Sequence, residues 1–423
     1  MNPPAATDAP ADAVAVIRHA LAVWPQAHTN DRAALVNALA RAYLHSHLDA
    51  ESRAEAEIAM TRALDDPEPR VRRALAHALA GARAAPRHVV VALAGDAASV
   101  SRIVLCVSPL LADEDLVEAV ATGDALMQVA VARRARVSGK VAAAIAEVGE
   151  RRAVLALLSN LSAEIGEPSL WRLLERFATD EEARLRFAVR RGLTAALRAA
   201  VAAATVEACA TEADRYEPRH AGRLARDGRE QAFVAIAGDA PGEQLVDLVA
   251  WLRQRGHLTV GLFLRALAGG DVTLVGESLA QMAQIPRKRV IALMRAPRGL
   301  GFAALWKRAA MPVALLPAFR IAVERAGRAG TGIGVNHGLT RAMLDEIEAL
   351  GDIALKPVVA KLWRLAAEGA RADAREYAAL PTPDLEEAVE CVAPPLMLDA
   401  PTGNENFAPA VTLDLDAEDE LAA

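Results

Sequence analysis

Between residues 60 and 190 one pattern returns at nearly fixed intervals: a polar turn, then a short run with apolar residues at helical spacing. In the clearest copy, Val71, Ala74, Leu75, Ala78 and Leu79 follow the turn Asp65-Asp66-Pro67 at i, i+3, i+4, i+7 and i+8. That spacing is one stripe of an amphipathic helix. Similar units begin at Gly95 (GDAASVSRIVLCV), Gly123 (GDALMQVAVARR), Gly149 (GERRAVLALLSNL) and Thr179 (TDEEARLRFAVRRG), successively 28, 26 and 30 residues apart. Each turn follows another apolar helical segment, at 54–64, 86–94, 113–121, 139–148 and 168–178. A single pair of short helices cannot bury its apolar face, so neighbouring pairs must share one continuous core.

Composition supports an all-α chain. Hydrophobic residues make up 53% of the 423, yet aromatics only 4%; the apolar content is aliphatic and rich in alanine, which favours helix over strand. The mix excludes a disordered protein, a disulfide scaffold and a β-sandwich. Cys106, Cys209 and Cys391 lie far apart with no paired Cys/His spacing, so free thiols in a reducing compartment are expected. Residues 1–12 lack the apolar centre of a secretory signal. The longest uncharged apolar runs, such as 103–112 and 309–319, fall short of the ~20 residues that span a bilayer. A cytoplasmic protein without membrane insertion is expected.

The turn with Asp followed by VRRALAHAL at 71–79 resembles the second helix of a HEAT repeat, and the later copies keep its periodicity while losing parts of the motif. That resemblance implies an α-solenoid over about 30–205. More narrowly, SPLL at 108–111, ARR at 132–134 and LLSNLSAEI at 157–165 are similar to an uncharacterised bacterial family, mainly alphaproteobacterial, called domain of unknown function 2336. The similarity continues weakly into the C-terminal half, and the family implies no activity.

The expected organisation is a disordered N-terminus at 1–12, HEAT-like helical repeats at 13–213, an irregular helical subdomain at 214–380 and an acidic, largely disordered tail at 381–423. Asp66 is expected to cap or end its turn, Arg72 to pair with an acid of the next repeat, and Asn160, read as mid-helical, to bond between repeats. Thr179-Asp180-Glu181-Glu182 reads as a capping box opening a long helix to about Ala208. Pro218 breaks the pattern and marks the subdomain boundary. Beyond it, Leu245, Leu248, Val249 and Leu252 repeat the buried spacing, and 272–282, 287–295, 301–310 and 340–350 read as short helices. No second HEAT motif occurs there, so an irregular solenoid and a helical bundle are both open. Residues 325–338 form the longest expected loop of the body.

No constellation carries obvious chemistry. Gly330-Thr-Gly332-Ile-Gly334 lacks the strand before it that a dinucleotide fingerprint requires, and no GK[ST] occurs. Of nine histidines only His45 and His47 are close, and two positions apart on a helix they face different ways. No GxSxG elbow or HExxH motif appears. Neither a metal nor a cofactor is expected. The five tryptophans are too scattered for base stacking, and an exposed one would be a binding anchor.

The arginines carry the candidate surface. Arg184, Arg191 and Arg198 lie seven apart on the expected long helix, with Leu185, Val189 and Ala196 on another face. Arg133 and Arg134 cluster near one repeat junction, with Arg151 and Arg152 beginning another repeat. The favoured reading is a non-enzymatic scaffold that binds protein partners through these residues. Two others stay open: a nucleic-acid binder or HEAT-type DNA repair enzyme following phosphates, and a small-molecule enzyme with a pocket between the helical halves around 325–337.

Charge is divided along the chain. Residues 381–423 hold eleven acids and no Lys or Arg, whereas 1–380 carry a net +5. Thr382-Pro383 signals a short helix at 383–393, whose Leu385, Val389 and Val392 are candidate docking residues. The tail is expected to dock on the arginine-bearing surface and regulate access. Single exposed ion pairs contribute only ~0–1 kcal/mol, but tethering supplies an effective concentration on the order of mM. Deleting 381–423 should therefore raise partner affinity, most at low salt. Unchanged affinity in a titration of both chains rejects masking; lost binding makes the tail itself the recognised segment.

Overall fold

The computed structural model describes residues 14–379, apart from 16, 20, 21, 217 and 331–333. The described residues are all-α, their one β-type contact being a single bridge between Val137 and Ala163. The described residues up to 370 form one compact unit. In the second unit, 371–423, residues 371–379 are helical.

Helix α1 (Thr29–His45) is followed by five helix pairs: α2 (Ala50–Ala63) with α3 (Pro69–Leu79), α4 (Arg87–Ala94) with α5 (Ala98–Val107), α6 (Asp113–Thr122) with α7 (Ala125–Ala132), α8 (Gly139–Val148) with α9 (Arg151–Ser159), and α10 (Glu167–Phe177) with α11 (Glu181–Val189). Local chemistry sets the boundaries. Pro69 opens α3 where a missing amide costs nothing; Asp49, Asp124 and Ser138 accept amide protons at the starts of α2, α7 and α8.

The second helices stack in one row, α1, α3, α5, α7, α9, α11, each against the next but one in sequence; α6, α8 and α10 form a parallel row. Their shared core is continuous from Ile17 to Val201. Val71, Leu75 and Leu79 are fully buried in it, as their spacing requires.

Side chains join successive second helices at both ends. At the N-terminal ends, Arg32 pairs with buried Asp66 at 2.7 Å and Arg72 pairs with Asp96 at 2.6 Å. Asp66 also accepts the Glu68 amide, so it serves turn and stack together. Burial, the largest single influence, pushes the Asp96 carboxyl up, but the Arg72 hydrogen bonds, the Ala97 amide and the Arg72 charge together outweigh it and hold the group below the usual carboxylate range. At the C-terminal ends the acceptors are main-chain carbonyls. Arg134, just past α7, donates to Leu105 and Ser108 at the end of α5, at 2.6 and 2.7 Å. Asn160, just past α9, donates to Ala132 and Arg134 at 3.0 and 2.8 Å. Arg190, just past α11, reaches Leu158, Asn160 and Ala163 at 3.3, 3.3 and 2.9 Å. Helix ends leave carbonyls without intrahelical partners and carry partial negative charge. Each clamp satisfies them from the following repeat.

These contacts correct three sequence expectations. Asn160 lies at the end of α9, although its bond between repeats is as expected. The capping residue of α11 is Asp180, which accepts from Ala183 at 3.0 Å, rather than Thr179; its charged carboxylate also offers both oxygens to Arg151, for which a neutral hydroxyl has neither the charge nor the second oxygen. The expected long helix is two. It breaks at 190–194, where Gly192 takes φ +80°, Arg190 turns away to its clamp, and Thr194 caps α12 (Ala195–Asp214).

Beyond α12 come α13 (Pro218–Asp239), α14 (Gly242–Gln254), α15 (Val260–Ala268), α16 (Val272–Ala283), α17 (Arg287–Met294), α18 (Leu300–Arg308), α19 (Leu316–Ala329), α20 (His337–Glu348) and α21 (Lys356–Ala379). Alternate packing continues through α12, α14, α16 and α18, and Arg308 closes the end of α16 by donating to Ala283 at 2.7 Å. The expected loop at 325–338 is shorter, because α19 runs to Ala329.

Trp251 of α14 touches both the first core cluster and the second, which spans Ala195 to Leu365. Its ring lies 6.5 Å from Trp171, 6.0 Å edge-on from Phe233 and 5.6 Å from His257. Burial, then Arg229 and Arg255, hold the His257 imidazole below its ordinary value. The folded state therefore disfavours the proton that the unfolded chain accepts, so this group's stability contribution is present above the unfolded value and lost as pH falls from there through the lower folded value. Thermal melts should show stability dropping between about pH 7 and 5. His257→Phe should flatten that part of the profile, measured against wild type in the same buffers.

Candidate partner-binding groove

Three second helices, α7, α9 and α11, line a groove of roughly 640 Å³. Buried Gln128 fixes its frame, donating to Val120 at 3.0 Å and accepting the Glu150 amide at 2.8 Å. Leu126, Val129, Leu155 and Ala156 make an apolar strip, and Arg133, Arg151, Arg152 and Arg186 surround it. Leu126 is 46% exposed.

The four guanidinium groups are not equivalent. Arg151 pairs with Asp180 and Glu182, and Arg186 donates to Glu182 at 2.6 Å and to Ser159 Oγ at 3.0 Å. The Arg151 hydrogen bond holds Asp180 below the usual carboxylate range. Arg133 and Arg152 are exposed and have no acidic partner among the described residues. The groove thus offers two uncompensated bidentate donors beside an apolar strip. Such donors match carboxylates and main-chain carbonyls. Ser159 Oγ donates to Leu155 O, so the groove's hydroxyl is engaged in its own helix.

Of the arginines singled out in the sequence, Arg133, Arg151 and Arg152 meet here. The others go elsewhere. Arg134 is a clamp, partly buried, and burial lowers its pKa. Arg184 is 9% exposed and donates to Ala178 at the end of α10, at 2.8 Å. Arg191 is exposed in the 190–194 turn, and Arg198 of α12 lies 3.9 Å from Asp239. The seven-residue line therefore does not form. The faces of α11 are also inverted: Ala183, Arg184 and Phe187 are buried, while Leu185 and Val189 are 61% and 78% exposed. Leu385, Val389 and Val392 lie outside the described residues.

Sequence reasoning missed Arg186, Leu126 and, Asn160 apart, the clamps. The clamps had a signal: Arg134, Asn160 and Arg190 each follow a second helix, at the intervals of the repeat itself. Among the tryptophans, Trp363 is 43% exposed, bonded to Glu348 at 2.9 Å with Arg341 4.5 Å over its ring. Near 325–337, a pocket of roughly 430 Å³ is lined by Arg265, Asp271, Gly334, Val335 and Glu368. There buried Arg265 makes a bidentate pair with Glu368 at 2.6 and 2.8 Å. No group of three or more His, Cys, Asp or Glu among the described residues could hold a metal ion, and no described helix is long and apolar enough to cross a membrane.

A family model described as "Uncharacterised protein conserved in bacteria (DUF2336)" matches residues 100–351. The chain belongs to this family. The DUF2336 match takes in the whole groove, its three helices and the clamps from Arg134 to Arg308; α1–α4 and α21 lie outside it. No curated protein and no solved structure matches the chain.

Proposed function

We propose that this chain is a non-enzymatic helical-repeat scaffold and that the α7–α9–α11 groove is where a protein partner docks. The carrying observation is the pair Arg133 and Arg152, exposed and without acidic partners beside an apolar strip. An acidic peptide segment with a few apolar side chains complements both features. Its carboxylates would take up the free guanidinium groups, and its apolar residues would cover Leu126 and Val129. The frame beneath is fixed by Gln128 and the clamps, which favours docking without reorganisation. Commitment of Arg134 and Arg184 to the protein's own carbonyls supports a protein partner over a nucleic acid, whose phosphates call for a longer run of free cations.

The test is affinity capture from the bacterial cell with wild type and Arg133→Glu/Arg152→Glu, followed by titration of purified components. A captured protein should bind the wild type at least about tenfold more tightly than the variant, equivalent to ~1.4 kcal/mol. The gap should narrow as salt rises. Equal capture by both chains would remove the groove from the account. Duplex DNA that binds the wild type, is lost with salt and is lost in the variant would transfer the groove to nucleic acid.

A further inference from the structure

A second pocket, remote in sequence from the groove, carries an unbalanced charge over a fixed floor. It lies between α13, α15 and the first half of α21 and measures roughly 470 Å³. Its floor is an ionic cluster. Lys361 is 8% exposed and Glu230 9%; Lys361 Nζ donates to Glu230 at 2.6 Å and also to Asp227. The other Glu230 oxygen accepts from Thr259 Oγ1 at 3.0 Å. Gly261 makes room for this carboxylate, since a Cβ there would stand 2.3 Å from its Oε1. The floor is therefore preorganised, with its hydrogen-bonding groups already engaged.

The rim is not. Arg223, Arg226 and Arg364 line the same pocket and are exposed. None has an acidic partner among the described residues; Arg226 Nε reaches only Gly222 O of its own helix, at 3.3 Å. Three guanidinium groups and one ammonium stand against two carboxylates, leaving a surplus of two positive charges. The remaining wall is apolar, from Val260, Leu264, Leu315, Pro357 and Val358.

From this juxtaposition we infer that the pocket binds a small organic phosphate monoester, its dianionic phosphate held by Arg223, Arg226 and Arg364 and its apolar part laid against Leu264, Leu315 and Val358. A phosphate matches guanidinium geometry through paired N–H···O bonds and supplies the two charges the rim lacks. A monocarboxylate leaves one uncompensated. Inorganic phosphate leaves the apolar wall in water, and the pocket's volume falls in the range that encloses small ligands. The inference is independent of the groove and of its partner.

Calorimetric titration of the full chain with hexyl phosphate, against inorganic phosphate, tests it. Hexyl phosphate should bind one to one and at least about tenfold more tightly than inorganic phosphate. Arg223→Gln/Arg364→Gln should weaken it at least about tenfold, each tenfold being ~1.4 kcal/mol. In the unmodified chain, hexyl phosphate should shield Arg223, Arg226 and Arg364 from phenylglyoxal, read by mass spectrometry, which needs no variant. Vesicles of phosphatidylcholine with and without phosphatidic acid separate the sources. Arginine-dependent capture by phosphatidic acid marks a lipid headgroup; hexyl phosphate binding without such capture marks a soluble ester. Absent saturable binding, equal affinity for inorganic phosphate, or an unaffected variant would overturn the inference.

Discussion

The structure depends on how its short helices dispose of their last carbonyls. Most of the second helices have eight to eleven residues, too short to be stable alone in water. At the ends of α5, α7 and α9 the carbonyls without intrahelical donors lie in partly buried contact with the next repeat. Arg134, Asn160 and Arg190 fill that gap from the next repeat, and Arg308 does the same farther along. Leaving a fully buried acceptor unpaired costs about 1–3 kcal/mol and a partly buried one less, so a clamp that serves two carbonyls contributes at or above the level of a surface ion pair. Apolar burial drives the helices together. The clamps set their register.

Register bears directly on the candidate site. The groove exists because α7, α9 and α11 lie side by side at a fixed offset, bringing Arg133, Arg151, Arg152 and Arg186 from three consecutive repeats around one strip. Arg133 and Arg134 are adjacent in sequence yet do opposite things: one stands free at the rim, the other is consumed in the frame. The family-like segments share in this division. SPLL supplies the Ser108 acceptor, ARR the Arg134 donor, and LLSNLSAEI both the Asn160 donor and the Leu158 and Ala163 acceptors.

Much of the fold was legible in the sequence where punctuation is strong. Asp, Gly and Pro at each turn, with apolar spacing after it, placed the helix pairs from 86 to 177 within a residue or two. The reading failed where two signals compete. Gly192 is tolerable within a helix by propensity alone, but here the chain uses its left-handed backbone to turn so that Arg190 can reach α9. On α11 a stripe of Ala183 and Phe187 outcompeted the larger aliphatics Leu185 and Val189, because Arg184 could be buried against a helix end. The site was half legible. Arginine clusters are visible in a sequence, but whether a guanidinium is free or spent depends on carbonyls, and these carry no letter of their own.

The clamp account is tested most directly by amide hydrogen exchange of Asn160→Leu against wild type. This substitution puts an apolar branched side chain in place of the amide, removing the donor to Ala132 and Arg134 together with the local acceptor of the Ser162 amide. The account predicts faster exchange at the ends of both α7 and α9, on either side of the lost bond, with α16 and α18 unchanged. Acceleration confined to the residues around 160, with α7 as protected as before, would contradict it.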